Sequence, residues 1–203
     1  MALKEYLDHH AFKNLSVSAE AENTLAGDYL DFSGADLSGL SLVHAWLMGA
    51  DLSDVCLVGA DLYRSWMHGA HLDRAILDGA DIRKIEARGC TAVAAKVRGA
   101  DARSAVLEEA DLRCADLSEA DLRQASLSDA DLRHARLDGC RYLRTDMIGS
   151  RLGGARVVGG QGSVYGPADV GVTESRIIGS EELRRWFHRN GAPDVVVLEL
   201  KSP

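Results

Sequence analysis

Apolar residues recur along most of this chain at a spacing of five. Positions 107, 112, 117, 122, 127, 132 and 137 are all Leu, and the residue two places before each is Ala. A period of five is neither the 3.6 of an amphipathic helix nor the 2 of a half-buried strand. Five residues cannot bury an apolar face alone, so several repeats must form one turn of a larger, stacked object. The phase runs back through Met67, Leu62, Leu57, Leu52, Leu47, Leu42 and Leu37 to Phe32. It runs forward through Tyr142, Met147 and Leu152 to Val157, without an insertion.

The chain divides accordingly into residues 1–29, 30–159 and 160–203. The first segment reads as an N-terminal cap, with a short amphipathic helix on Leu3, Tyr6, Leu7 and Phe12 and a strand carrying Leu15 and Val17. Beyond Val157 the phase dissolves in Gly159, Gly160, Gly162, Gly166 and Pro167, the composition of a linker. A short helix follows, N-capped by Ser180, with Glu181 and Glu182 in its first turn and Gly191 at its end. Leu183, Trp186 and Phe187 give it one apolar side, and residues 194–200 have strand composition. This module reads as a cap on the last coil or as a dimerisation element. Within the repeats, residues 82–102 depart from Leu: their centres are Ile82, Ala87, Ala92, Val97 and Ala102, with Ile85 at a normally small position. A narrowed or slightly bent coil is expected there.

The motif Ala-Asp-Leu-x-x, clearest in residues 110–137, resembles the pentapeptide-repeat family. That resemblance implies an all-β solenoid, a right-handed quadrilateral β-helix with four pentapeptides per coil. The repeats between Phe32 and Val157 then make about six and a half coils, on the order of 30 Å long if coils stack like hydrogen-bonded strands. The central residue and the small residue two before it point inward, and the residues flanking the centre point outward. A weaker resemblance to the quinolone-resistance branch implies binding to type II topoisomerases by imitation of duplex DNA, and dimerisation through the C-terminal end. That branch favours Phe at the centre, whereas this chain carries Leu, and its projecting loops have no counterpart in the unbroken phase.

In this register Trp46 and Trp66 stack outward on one face, flanked by Met48 and His68, with Cys56, Val58 and Ile76 assigned to the neighbouring face. An apolar patch of this kind marks a contact surface, and Trp is enriched in binding hot spots. The net charge is −8, and residues 1–69 hold ten acids against Lys4, Lys13 and Arg64. Of those acids Asp31, Asp36, Asp51, Asp54 and Asp61 lie in the repeats and are candidate contact residues. The repeat region as a whole has 20 acids and 16 bases, a mixed surface. Asp61, Asp81, Asp101 and Asp121 form one column, with Arg83, Arg103 and Arg123 beside it, a pattern expected to neutralise itself.

Nothing in the sequence points to catalysis. The seven His residues and four Cys residues have no metal-ligand spacing, and the recurrent Gly-Ala-Asp is a corner and not a phosphate cradle. No cofactor, metal, nucleic-acid contact or membrane span is expected, nor is a secretory leader expected in the charged start of the chain. Four scattered Cys fit reduced thiols in a cytoplasm. The expected function is a non-enzymatic rod that binds a protein partner. The alternative is a DNA mimic, directed at DNA gyrase or topoisomerase IV, that protects against fluoroquinolones or toxins.

Overall fold

The computed structural model describes residues 16–17 and 24–199. The expected helix on Leu3, Tyr6, Leu7 and Phe12 lies outside them. Between Phe32 and Val157 every fifth residue is buried, and Ala, Ser, Thr, Cys, Val or Ile fills the buried small position at 45 and every fifth residue on to 155. Residue i pairs in parallel with residue i+20, from Ala26 with Trp46 through to Arg141 with Gln161. Four pentapeptides therefore complete one coil, and each residue stands above its equivalent in the coil before.

The backbone explains the motif. In a typical repeat, the centre Leu37 donates to Cys56 O at 2.7 Å, Gly39 N–H to Val58 O at 2.9 Å, and Cys56 N–H to Ala35 O at 2.8 Å. Leu40 N–H closes a turn onto Leu37 O. Only the N–H just after the centre has no backbone partner, and the Asp just before the centre supplies one. Asp31, Asp36, Asp51 and Asp61 accept in this way from Ser33, Ser38, Ser53 and Tyr63 at 2.8–3.0 Å. In some repeats that lack that Asp, one from the coil below substitutes: Asp28 serves Met48, Asp73 serves Val93, and Asp78 serves Arg98.

The core is almost wholly apolar, which makes Ser65 conspicuous. Its hydroxyl is fully buried and has no hydrogen-bond partner. A desolvated hydroxyl without a partner destabilises a fold. Ser65→Ala, matching Ala45 and Ala105 in the same column, is expected to raise stability by about 1 kcal/mol. The shift in urea midpoint measures this, and a loss of stability would mean that the hydroxyl has a partner.

Residues 82–102 keep the ladder unbroken despite their small centres, with Asp81 paired to Asp101 and Glu86 to Val106. Ile82, Val97 and Ile85 remain buried beside Ala87, Ala92 and Ala102.

At the ends the structure keeps the expected strand at Val17, the C-terminal helix and the strand after it, and changes what lies between. Strand β1 (Ser16–Val17) pairs antiparallel with β2 (Leu25–Ala26). The expected linker is instead ordered in the ladder: β4 (Gln161–Tyr165) lies parallel between β3 (Thr145–Asp146) and β7 (Asp194–Leu198). Gly162 is there for close approach, since a Cβ would sit 1.8 Å from Tyr142 O. Strands β5 (Ala168–Asp169) and β6 (Ile177–Ile178) pair antiparallel. Helix α1 (Ser180–Arg189) starts after Gly179, which takes the N-cap place expected of Ser180. Leu183 and Phe187 are fully buried and Trp186 is half-buried. Phe187 meets Tyr142 edge-on at 6.3 Å and Trp186 at 5.2 Å. These three apolar residues pack onto the last coil, and β7 brings the chain back beside β4.

Candidate protein-interaction surface

The four columns of outward residues differ in character. The column through Trp46 and Trp66 continues to Glu86 and Val106. Both tryptophans have their backbones fixed on both sides: Trp46 N–H donates to Leu25 O and Trp66 N–H to Ala45 O, while Trp66 O receives Leu47 N–H at 2.7 Å. Their side chains stand on a rigid frame, 52% and 47% exposed. Met48 is half-buried beside them, and the three side chains line a shallow apolar notch of about 290 Å³. His68 meets the Trp66 ring edge-on at 6.1 Å. The structure thus brings together Trp46, Met48, Trp66 and His68.

Other expected members of this surface are elsewhere. Cys56 and Ile76 belong to the column of Asp36, with Val58 on the same face, two pentapeptides along from Trp46. In a coil of four that is the opposite face, not the neighbouring one. The acidic candidates are also dispersed. Asp31 and Asp51 share one column, Asp36 stands in a second and Asp61 in a third. Asp54 occupies a turn and is held by both nitrogens of a fork from Arg74, at 2.8 and 2.6 Å. That contact with Arg74 holds the Asp54 carboxyl below its ordinary range, and the Ser33 hydrogen bonds do the same for Asp31.

The mixed column behaves as its pattern suggests. Arg83, Arg103 and Arg123 each donate Nε to the Asp two before, at 2.8 Å. Cross-coil contacts join them, Arg83 to Asp101 at 3.7 Å and Arg141 to Asp121 at 3.6 Å. The Arg83 hydrogen bond holds the Asp81 carboxyl below its ordinary range. Burial, the largest single influence, acts to raise Asp121, but the hydrogen bonds from the Arg123 side chain and backbone and the charges of Arg123 and Arg141 together bring it below its ordinary range. Sequence reasoning missed a parallel feature, the identical forks of Arg113 on Asp111 and Arg133 on Asp131 on another face. The repeated Asp-Leu-Arg triplet was its signal.

The four cysteines are unpaired, and burial pushes the Cys90 and Cys140 thiols up to about 12, far from reactive thiolates. Among the described residues no group of His, Cys, Asp and Glu is arranged to hold a metal ion, and no helix is long and apolar enough to cross a membrane.

Comparison with known proteins agrees with the repeat geometry. HetL, a pentapeptide repeat protein involved in heterocyst differentiation regulation from the cyanobacterium Nostoc sp. strain PCC 7120, superposes with a TM-score of 0.51. It is 23% identical, over 85% of this chain and 92% of that one. A trypsin-treated form of QnrB1, a plasmid-mediated fluoroquinolone resistance protein, also gives 0.51, at 17% identity over 70% of this chain and 81% of that one. At these identities the likeness is one of fold, the right-handed quadrilateral β-helix. No curated protein sequence matches the chain significantly. The family described as Pentapeptide repeats matches in eight copies across residues 28–54, 56–91, 93–129 and 125–159, and the chain is a member of that family.

Proposed function

We propose that this chain is a non-enzymatic protein-binding rod of about six and a half coils whose contact face is centred on Trp46, Met48, Trp66 and His68. The observation that carries the proposal is the pair of half-exposed tryptophans stacked on consecutive coils, on backbone held by the ladder. Exposed aromatic side chains on a rigid frame lose little entropy on binding, and paired Trp residues are typical energetic anchors of interfaces. The rest of the rod supports the same reading by contrast, because its charges are largely matched in forks within the chain. The proposal includes a reducing cytoplasm, where the four thiols stay free. Self-association through the C-terminal end is a further proposal, for which the outer edge of β7, with Val196 half exposed, is the available surface.

The gyrase-directed alternative draws on rod shape and net negative charge. Its acidic residues lie on several faces, and most of them cap backbone N–H groups or pair with Arg. Trp46→Ala combined with Trp66→Ala tests the favoured reading. Capture of the native partner from host extract is expected to fall at least tenfold, with the far-ultraviolet circular dichroism spectrum unchanged. Undiminished capture by the doubly substituted rod would refute it.

A further inference from the structure

The corner that borders the Trp face on one side carries a side chain at every level from His44 to Arg144. In every repeat the residue two after the centre has positive φ, the conformation that suits Gly. One corner follows this with Gly39, Gly59, Gly79, Gly99, Gly139 and Gly159, interrupted by Glu119, all at φ of 62–72°. The corner beside the tryptophans has no glycine: it runs His44, Arg64, Lys84, Ser104, Gln124 and Arg144, all at φ of 53–60°. Side chains at positive φ are strained, and a second corner shares the condition at Asp54, Arg74, Ala94, Cys114 and His134, so what sets the corner beside the tryptophans apart is its charge.

Charge singles out the same corner. Twelve of the fourteen arginines in residues 30–159 make ion pairs. The two that make none among the described residues are Arg64 and Arg144, both in this column, and Lys84 makes none either. Arg64 rests on the Tyr63 ring at 5.4 Å, with Arg83 on the same ring at 5.2 Å. His44, Arg64, Lys84 and Ser104 form one wall of a groove of about 530 Å³, and Trp66 and Glu86 form the other. Trp66 therefore belongs both to this groove and to the apolar notch with Trp46 and Met48.

We infer that the joined groove and notch take an extended acidic peptide segment of a partner protein. A large apolar side chain enters the notch, and a carboxylate one to three residues away sits over Arg64 and Lys84. Glu86, the groove's one acid, repels a second carboxylate from the Trp66 side and so fixes the direction of the chain. Charge complementarity selects the class: two cations about one strand spacing apart match one or two carboxylates. They are too few to hold a polyphosphate against a chain of net charge −8. This inference rests on the Trp face being the contact surface and adds the chemistry of what it contacts.

A phage-displayed library of random dodecapeptides, selected on the full chain, tests it. Recovered peptides are expected to place Asp or Glu within three residues of an aromatic or large aliphatic residue. Their affinity, by fluorescence anisotropy, should fall at least tenfold in Arg64→Gly with Lys84→Gly, and more steeply with salt in the wild type than in that variant. Because Gly relieves the positive φ, the variant's Tm should be unchanged or higher, which separates this role from a structural one. Recovered peptides without acidic bias, affinity indifferent to Arg64→Gly with Lys84→Gly, or tighter binding of random single-stranded DNA would each overturn the inference. If such peptides still lost binding in Trp46→Ala with Trp66→Ala, the contact face itself would stand. Failure to recover any peptide, together with undiminished partner capture by the Trp variant, would overturn both.

Discussion

Leu122→Ala is expected to destabilise the chain by about 2–5 kcal/mol, the usual range for removing a buried Leu side chain from a packed core. Leu122 is fully buried, and its equivalents in the adjoining coils are Ala102 and Tyr142. Ala102 is too small to fill the space below, and Tyr142 is fixed by Phe187 above, so the cavity has little room to collapse. The value should therefore fall in the upper half of that range. In a stacked rod each coil contacts only its neighbours, so the loss is felt first as local opening around that coil. Urea unfolding of the variant measures the total, and amide exchange at Ala120 and Arg141 reports the opening. A loss under about 1 kcal/mol would mean that the interior is not close-packed at this level.

The second large effect concerns the C-terminal cap. Phe187→Ala should cost about 3–5 kcal/mol, because the ring is fully buried between Tyr142 and Trp186. Removing the chain after Gly179 goes further, taking away α1 and β7 together. Strand β4 would lose its parallel partner along all five residues, leaving an open edge and an uncovered apolar end. That truncation is expected to aggregate, as seen by light scattering and by loss of soluble yield. A soluble, monomeric and folded truncate would argue that this module serves association between chains and not closure of the rod.

The rod was legible in the sequence because its signal is carried by identity at fixed spacing. An unbroken phase from Phe32 to Val157 leaves no other way to bury a Leu at every fifth position. What escaped has a physical reason in each case. The acidic residues before the centre look like surface charge, yet Asp31, Asp36, Asp51 and Asp61 answer an orphan backbone N–H that appears only once the ladder exists. The placement of Cys56 beside the tryptophans failed because neighbours in the chain are one pentapeptide apart on a four-sided coil, and Cys56 is two from Trp46. Residues 161–165 read as linker because glycine counts against a strand. Here β3 and β7 impose strand pairing from both sides, and Gly162 is required by the approach of Tyr142 O. The contrast between the glycine-lined corner and the corner of His44, Arg64 and Lys84 was present in the sequence. Its meaning depended on knowing that both occupy the same positive-φ place.

One capture experiment decides which surface of the rod meets the partner. Three full-length proteins are compared on the same host extract. They are the unchanged chain, Trp46→Ala with Trp66→Ala, and a fivefold variant with Asn in place of Asp31, Asp36, Asp51, Asp54 and Asp61. Asn keeps the Oδ1 acceptor that the turns need while removing the charge. Loss of the captured protein with the Trp variant, and its retention with the Asn variant, is the predicted result. Retention with the Trp variant and loss with the Asn variant would contradict the account and favour a partner that reads negative charge, as a DNA-binding enzyme does.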